Sequence, residues 1–401
     1  MHTIDPVGRA TTASTRGRTI LLLALWGTAA PVLLCGCPDS IAYPFRPLRT
    51  DAGMGGSAGT GGADAGPPPV DAGPDAPPDT PPISCPTKLV GYATLTLDGG
   101  TTGGGDAPVV VVTTLDQLQK VANTPGPGVV RISGKITVTV ATPPIDVESD
   151  KTIVGDNPKM GDGLVGTGLI VKDKHNVIFR NLTITKAIQP ADAITVQHST
   201  NVWIDHCDLS SVETDKDTYD GLIDITHASD NVTVSWNRFH DHYKTTLVGH
   251  SENNAAEDTG HLTVTYHHNL FVHTQEGTPR ARFGHIHVFN NHFVNVNIVG
   301  VASATSATTV VEGNVFDQVK IPIATHFEDA VDGVVSGGGP ISGGVGSDPK
   351  NNNLFNPIDS VNANVLTTPF TTWMPPYAYD LSSETDVPIV VETCAGVFKV
   401  P

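Results

Sequence analysis

Aromatic residues are scarce in this chain, with 12 Phe, 7 Tyr and 4 Trp among 401 residues. Cationic residues are scarce as well, 23 Lys and Arg standing against 41 Asp and Glu for a net charge of −18. So acidic a chain excludes nucleic acid as its main partner, because phosphate backbones are held by arrays of Lys and Arg. It also opposes any polyanionic partner unless metal ions or a local group of cations offsets the repulsion. No CxxC and no Cys/His zinc spacing occurs in the body of the chain, which argues against a structural zinc site. Glycine, by contrast, is abundant at 41 residues, and this suits a turn-rich β protein. The length allows one large domain or two ordinary ones.

The first residues read as an export leader. Arg9, Arg16 and Arg18 form a basic region, and an apolar run follows from Ile20 to Leu34. Such a segment is set aside in fold reasoning. It ends in Leu34-Cys35-Gly36-Cys37, which resembles a bacterial lipobox and implies lipidation at Cys37, with a plain secretory signal as the alternative. Residues 1–37 are therefore assigned to the leader. Residues 38–83 are dominated by Gly, Ala, Asp and Pro and hold too little apolar surface to bury a core, so a disordered tether is expected there. Residues 84–401 form the folded domain. Cys85 and Cys394 stand at its two ends and either pair in an oxidising compartment or remain thiols. Cys207 lies in an apolar run and is read as a small buried hydrophobe.

Repetition organises the domain. Asn176-Val177-Ile178, Asn201-Val202-Trp203 and Asn231-Val232-Thr233 begin strand-like units 25 and then 30 residues apart. His285–Phe293 and Thr308–Phe316 follow the same plan. A period of this size with strand-like units points to a stacked solenoid, with no room for long helices between repeats. Asn237, Asn269, Asn291 and Asn314 each precede a Phe by two residues: Phe239, Phe271, Phe293 and Phe316. In stacked parallel coils these positions fall about 4.8 Å apart, so a ladder of bonded Asn beside a stack of Phe is expected. His206, His240, His267, His268, His287 and His292 follow the repeat and are assigned structural roles. Asp329–Ala363 is rich in Gly, Asn and Ser and is read as loops.

Within the repeats, Asp224 interrupts an apolar strand between Ile223 and Ile225, and Asp220 lies four residues before it. A carboxylate in such a strand requires a partner, and in one continuous strand both acids would face the same side. Val202-Trp203-Ile204-Asp205-His206, Asp220–Ile225, Val232–His242, Tyr266-His267-His268-Asn269 and Thr278–Gly284 together resemble the pectate lyase family of polysaccharide lyases. The resemblance runs from Gly91 to the end of the chain. It implies an all-β right-handed single-stranded parallel β-helix, a monomer, and polygalacturonate (pectate) as substrate.

The resemblance also implies a calcium (Ca2+) site at Asp192, Asp220 and Asp224, a set of hard oxygen donors that suits this cation. It assigns substrate binding and catalysis to Lys244 and Arg282. The implied reaction is β-elimination, leaving a 4,5-unsaturated sugar. The family's base arginine falls where this chain reads Gly277. Arg280 is then a candidate catalytic residue, weighed against a plain surface charge. The departure leaves two expectations: a calcium-assisted lyase, or a pectate-binding surface protein with impaired turnover. The β-helix hydrolases fit less well, since Gly249-His250-Ser251 lacks the second Gly of their Gly-His-Gly signature. Lyases of methyl esters lack the three acids.

Overall fold

The computed structural model describes residues 83–96, 99–157, 161–326, 333–336, 346–348, 353–356, 364–365 and 373–397. The leader expected over 1–37 and, apart from Ile83, the tether expected over 38–83 lie outside the described residues.

Short strands wind into successive coils and stack as three parallel sheets. The first sheet runs from Val109–Val112 through His175–Arg180, Thr200–Asp205 and Asp230–Ser235 to Val334–Ser336. The second includes Asp208–Ser210, the start of Arg238–Val248, Leu270–Glu276 and His292–Val296. The third includes Ile194–Gln197, Gly221–Thr226, the end of Arg238–Val248 and Arg280–Arg282. This is the right-handed parallel β-helix expected from the repeats. Parallel sheets bury their inward faces in near-continuous apolar runs. Val177, Val202, Val232, Val264 and Ile286 accordingly lie in register on neighbouring coils and are fully buried. Each fully buried side chain of this kind contributes about 1.5–3 kcal/mol relative to exposure.

The Asn ladder and Phe stack form as expected. Asn237, Asn269 and Asn291 each donate a backbone N–H to the side-chain oxygen of the next Asn, at 3.0, 2.9 and 2.9 Å. Their amides donate upward to the carbonyls of Ile204, Val234 and Tyr266. The rings of Phe239, Phe271, Phe293 and Phe316 stack at 4.7, 4.9 and 4.5 Å. Both columns extend one coil further, to Asn353 and Phe355. The reading of Asp329–Ala363 as loops is therefore corrected. Val334–Ser336 and Asn353–Asn356 pair in parallel with Thr308–Val310 and Val315–Asp317. The Asn-Leu-Phe at 353–355 repeats the earlier signal, but its Gly- and Asn-rich surroundings mask it.

The six repeat-spaced histidines are packed against neighbouring coils or paired with carboxylates. His267 and His287 are buried, and His268 and His287 stack on Trp236 and Phe289 respectively. His206, His240 and His292 lie within 3 Å of Asp205, Asp208 and Asp317. Cys207 is fully buried. Cys85 and Cys394, 309 residues apart, form a disulfide. Tyr92 and Ala93, near the first cysteine, donate their backbone N–H groups to the hydroxyls of Thr265 and Thr233 of the first sheet. Gly396, just past the second, bonds the Trp236 carbonyl. The helices Leu115–Ala122 and Asp386–Cys394 lie against the coils rather than between them.

Candidate functional site

The outer side of the third sheet forms a cleft of about 740 Å³. Asp224, Lys244, Arg280 and Arg282 line it, and so do Asp220 and Gly277. The sites expected from the sequence are thus gathered in one place, and Asp192 lies directly beside Gly221 of this cleft.

Asp192 sits just before the strand Ile194–Gln197, on the coil preceding Asp224. Its Oδ1 accepts the Gly221 N–H at 3.0 Å and its Oδ2 accepts the Thr195 hydroxyl at 2.8 Å. Burial, with the charge of Asp220, raises its pKa to about 6. Burial first, and then the charges of Asp192 and Asp220, push Asp224 well above the usual carboxylate range. Gly221 permits the approach of these two acids. A Cβ there would lie 2.3 Å from Asp224 Oδ1 and 3.1 Å from Asp192 Oδ1.

Asp220 stands just before the strand Gly221–Thr226 and lines the same cleft as Asp224. Its Oδ1 accepts Lys244 Nζ at 2.8 Å and its Oδ2 accepts Gln189 Nε2 at 3.1 Å. The hydrogen bond from Lys244 to Asp220 in turn holds the lysine pKa above its ordinary value. Among the described residues no three His, Cys, Asp or Glu side chains are arranged to hold a metal ion. The donor chemistry of Asp192 and Asp224 nonetheless fits a hard cation: two desolvated carboxylates face each other, and a cation would relieve both burial and repulsion.

Arg280 and Arg282 share the strand Arg280–Arg282, next to Leu247 and Val248. Both converge on Glu252. Arg282 Nε and Nη2 each lie 2.8 Å from its Oε1, and Arg280 Nη2 lies 3.3 Å away. Arg282 Nη1 also donates to the Gly249 carbonyl. The Arg280 side chain is 18 % exposed and lines the cleft. Burial raises the Glu252 pKa, but hydrogen bonds from its own backbone and from Arg282, with the charges of both arginines, hold it below the usual range.

Two contributors escaped the sequence reading. Glu252 stands on a loop, where no periodicity marks it. His242 is buried, and its Nε2 donates to the Asp220 carbonyl at 3.0 Å while its Nδ1 meets the Ser211 hydroxyl. Burial lowers its pKa to about 4, so it works as a neutral bracket that places Asp220. Its signal was present in His240-Asp241-His242, a motif that carried the resemblance without a role attached.

Gly277 adopts φ +70°, and its carbonyl accepts the Thr246 N–H. A Cβ there would lie 3.0 Å from the Thr246 carbonyl oxygen. The cations known to be held by carboxylates here, Lys244, Arg280 and Arg282, are poor proton acceptors, arginine especially.

A family profile described as pectate lyase matches residues 81–399. The probable pectate lyase B of Aspergillus terreus is 42 % identical over 235 residues, covering 58 % of this chain and 69 % of the relative. Pectate lyase A of Aspergillus niger is 44 % identical over 228 residues, covering 56 % of this chain and 68 % of that protein. Among solved structures, a Bacillus pectate lyase in complex with trigalacturonate aligns with a TM-score of 0.64 at 28 % identity. It covers 77 % of this chain and 99 % of its own.

Proposed function

On the premise that the chain belongs to the pectate lyase family and is a lyase acting on polysaccharides, we propose that it cleaves polygalacturonate by slow, calcium-assisted β-elimination. The observation that carries this reading is the meeting of Asp192 and Asp224 over Gly221, in a cleft that Lys244 and Arg282 also line. Asp192, Asp224 and, once released from Lys244, Asp220 are the residues that would hold calcium. Calcium, when bound, supplies Lewis-acid polarisation of a uronate carboxylate, which acidifies the C5 hydrogen.

This chain's own residues bind and orient. Lys244 and Arg282 grip the carboxylate and offset the charge that develops on it. Glu252 keeps Arg282 in place, and His242 keeps Asp220 in place. With Gly277 at the base position and Arg280 tied to Glu252, the C5 proton passes to hydroxide. Its electron pair forms the C4–C5 double bond, the C4–O4 bond breaks, and water protonates the leaving oxygen.

Gly277 also favours a second reading, a pectate-binding protein without turnover. The leader, Cys37 and the tether add an expectation of export and lipid anchoring, with display at a bacterial envelope. The experiment is ultraviolet absorbance of polygalacturonate digests with calcium and with chelator, from neutral to alkaline pH. A calcium-dependent rise that grows in proportion to hydroxide supports the lyase. A flat trace from protein that still retains polygalacturonate supports the binding reading and overturns turnover.

A further inference from the structure

The segment between strands Asp208–Ser210 and Gly221–Thr226 is bonded to other coils through Glu213 and the Thr218 carbonyl and capped internally by Asp215. Glu213 Oε1 accepts Gln275 Nε2 at 2.7 Å and Asn297 Nδ2 at 2.9 Å. These partners lie 62 and 84 residues further along the chain, on later coils. Asp215 Oδ1 caps the backbone N–H groups of Asp217 and Thr218 at 3.3 and 2.9 Å. The Thr218 carbonyl accepts the Gln189 N–H. The loop is therefore a fixed wall and not a free flap, and Lys216 at its turn lines the cleft.

Lys216 differs from the other cations there. Lys244 is paired with Asp220, and Arg280 and Arg282 with Glu252. Lys216 has no carboxylate partner among the described residues. Its Nζ stands 5.7 Å from the ring centroid of Tyr243, another residue lining the cleft. A cation over an aromatic face is held in position yet keeps its charge available to an anion. In a chain of net charge −18, an uncompensated cation inside the cleft has a large local effect on a polyanion.

We propose that Lys216 and Tyr243 form a second uronate subsite, with Lys216 binding the carboxylate of a sugar neighbouring the one at Lys244 and Arg282, the Tyr243 ring packing against its apolar side, and Glu213 acting as the positioning residue. This rests on the reading of the cleft as a polygalacturonate site. The subsite selects for unesterified sugars, because a methyl ester removes the charge that Lys216 meets.

The test is affinity electrophoresis of the full chain in gels containing polygalacturonate or highly methyl-esterified pectin, with calcium, a readout independent of turnover. Lys216→Ala is expected to weaken retention by polygalacturonate roughly three- to fivefold, the scale of one exposed ion pair, and to leave pectin retention unchanged. Lys216→Arg is expected to restore most of the loss. Lys120→Ala, on the distant helix Leu115–Ala122, controls for net charge. Glu213→Ala is expected to match Lys216→Ala, and Glu213→Gln to behave as wild type, because its amide oxygen accepts the same two N–H groups. Equal retention of Lys216→Ala and Lys120→Ala, with a wild type that binds, overturns the subsite alone. A wild type that polygalacturonate does not retain overturns both the subsite and the reading beneath it.

Discussion

Arg282 reaches Glu252 through Nε and Nη2, both 2.8 Å from one carboxylate oxygen, so the guanidinium is aimed before any substrate arrives. Glu252→Ala removes that aim and leaves a largely buried cation without its carboxylate. The expected result is about a fivefold rise in KM for polygalacturonate, or in Kd if turnover is absent. Glu252 is partly exposed, so the loss stays near 1 kcal/mol. Steady-state kinetics or calorimetry with oligogalacturonate checks it; an unchanged constant refutes the positioning role.

Asp224→Ala abolishes calcium-dependent binding of polygalacturonate. Gly221→Ala weakens calcium binding by at least roughly tenfold, since the added Cβ would displace Asp224 Oδ1 and crowd Asp192 Oδ1, and each 1.4 kcal/mol is a factor of ten. Titration calorimetry of calcium into each variant decides this. Wild-type affinity in both would remove the metal site from these residues.

Without calcium, stability should fall as pH rises from about 4 through about 6. Burial raises Asp192 to about 6 and pushes Asp224 well above the usual carboxylate range, while both acids titrate near 3.9 when unfolded. The folded state therefore binds more protons across this window. The stabilising contribution is full below the unfolded pKa and is lost as pH passes the folded one. Scanning calorimetry should show the fall in chelator, its disappearance with calcium, and a weaker fall in Asp192→Asn. A Tm that rises across the window would contradict the assignment.

Gly277→Arg should raise the rate near neutral pH and flatten its dependence on hydroxide. It should also destabilise the fold by about 1–2 kcal/mol, because φ is +70° and the Thr246 carbonyl oxygen is close. Product absorbance and thermal melts measure the two effects separately. A stable variant with no gain would mean that position 277 does not face the C5 hydrogen.

Asn291→Ala should cost about 2–4 kcal/mol, one of the larger losses available in the domain. It strands the backbone N–H of Asn269 and the carbonyl of Tyr266 in a dry interior. Denaturant unfolding should show the change, with secondary structure retained in water.

The solenoid was legible because stacking imposes one rule on every coil. Asn237 and Phe239 announce what Asn269 and Phe271 repeat, whereas Asp192, Asp224, Lys244 and Arg282 were named through the family resemblance. The misses have local causes. Glu252 and Glu213 act from loops over sequence separations that no periodicity encodes. The coil at 353–355 was hidden by the composition around it.

The bond between Cys85 and Cys394 has a consequence for how the domain fails. Solenoids unravel from their ends, one unit at a time. Here the segment at Tyr92 and Ala93 and the segment at Gly396 both fold back onto the middle of the first sheet, at Thr233, Thr265 and Trp236. The disulfide makes those two segments one clasp around the coils that carry Asp224 and Lys244. On the chain-entropy account, closing so long a loop is worth about 6 kcal/mol. A protease that nicks the far coils leaves the pieces joined, and the clasp opens only in a reducing environment, so the compartment in which the protein resides governs the lifetime of its cleft.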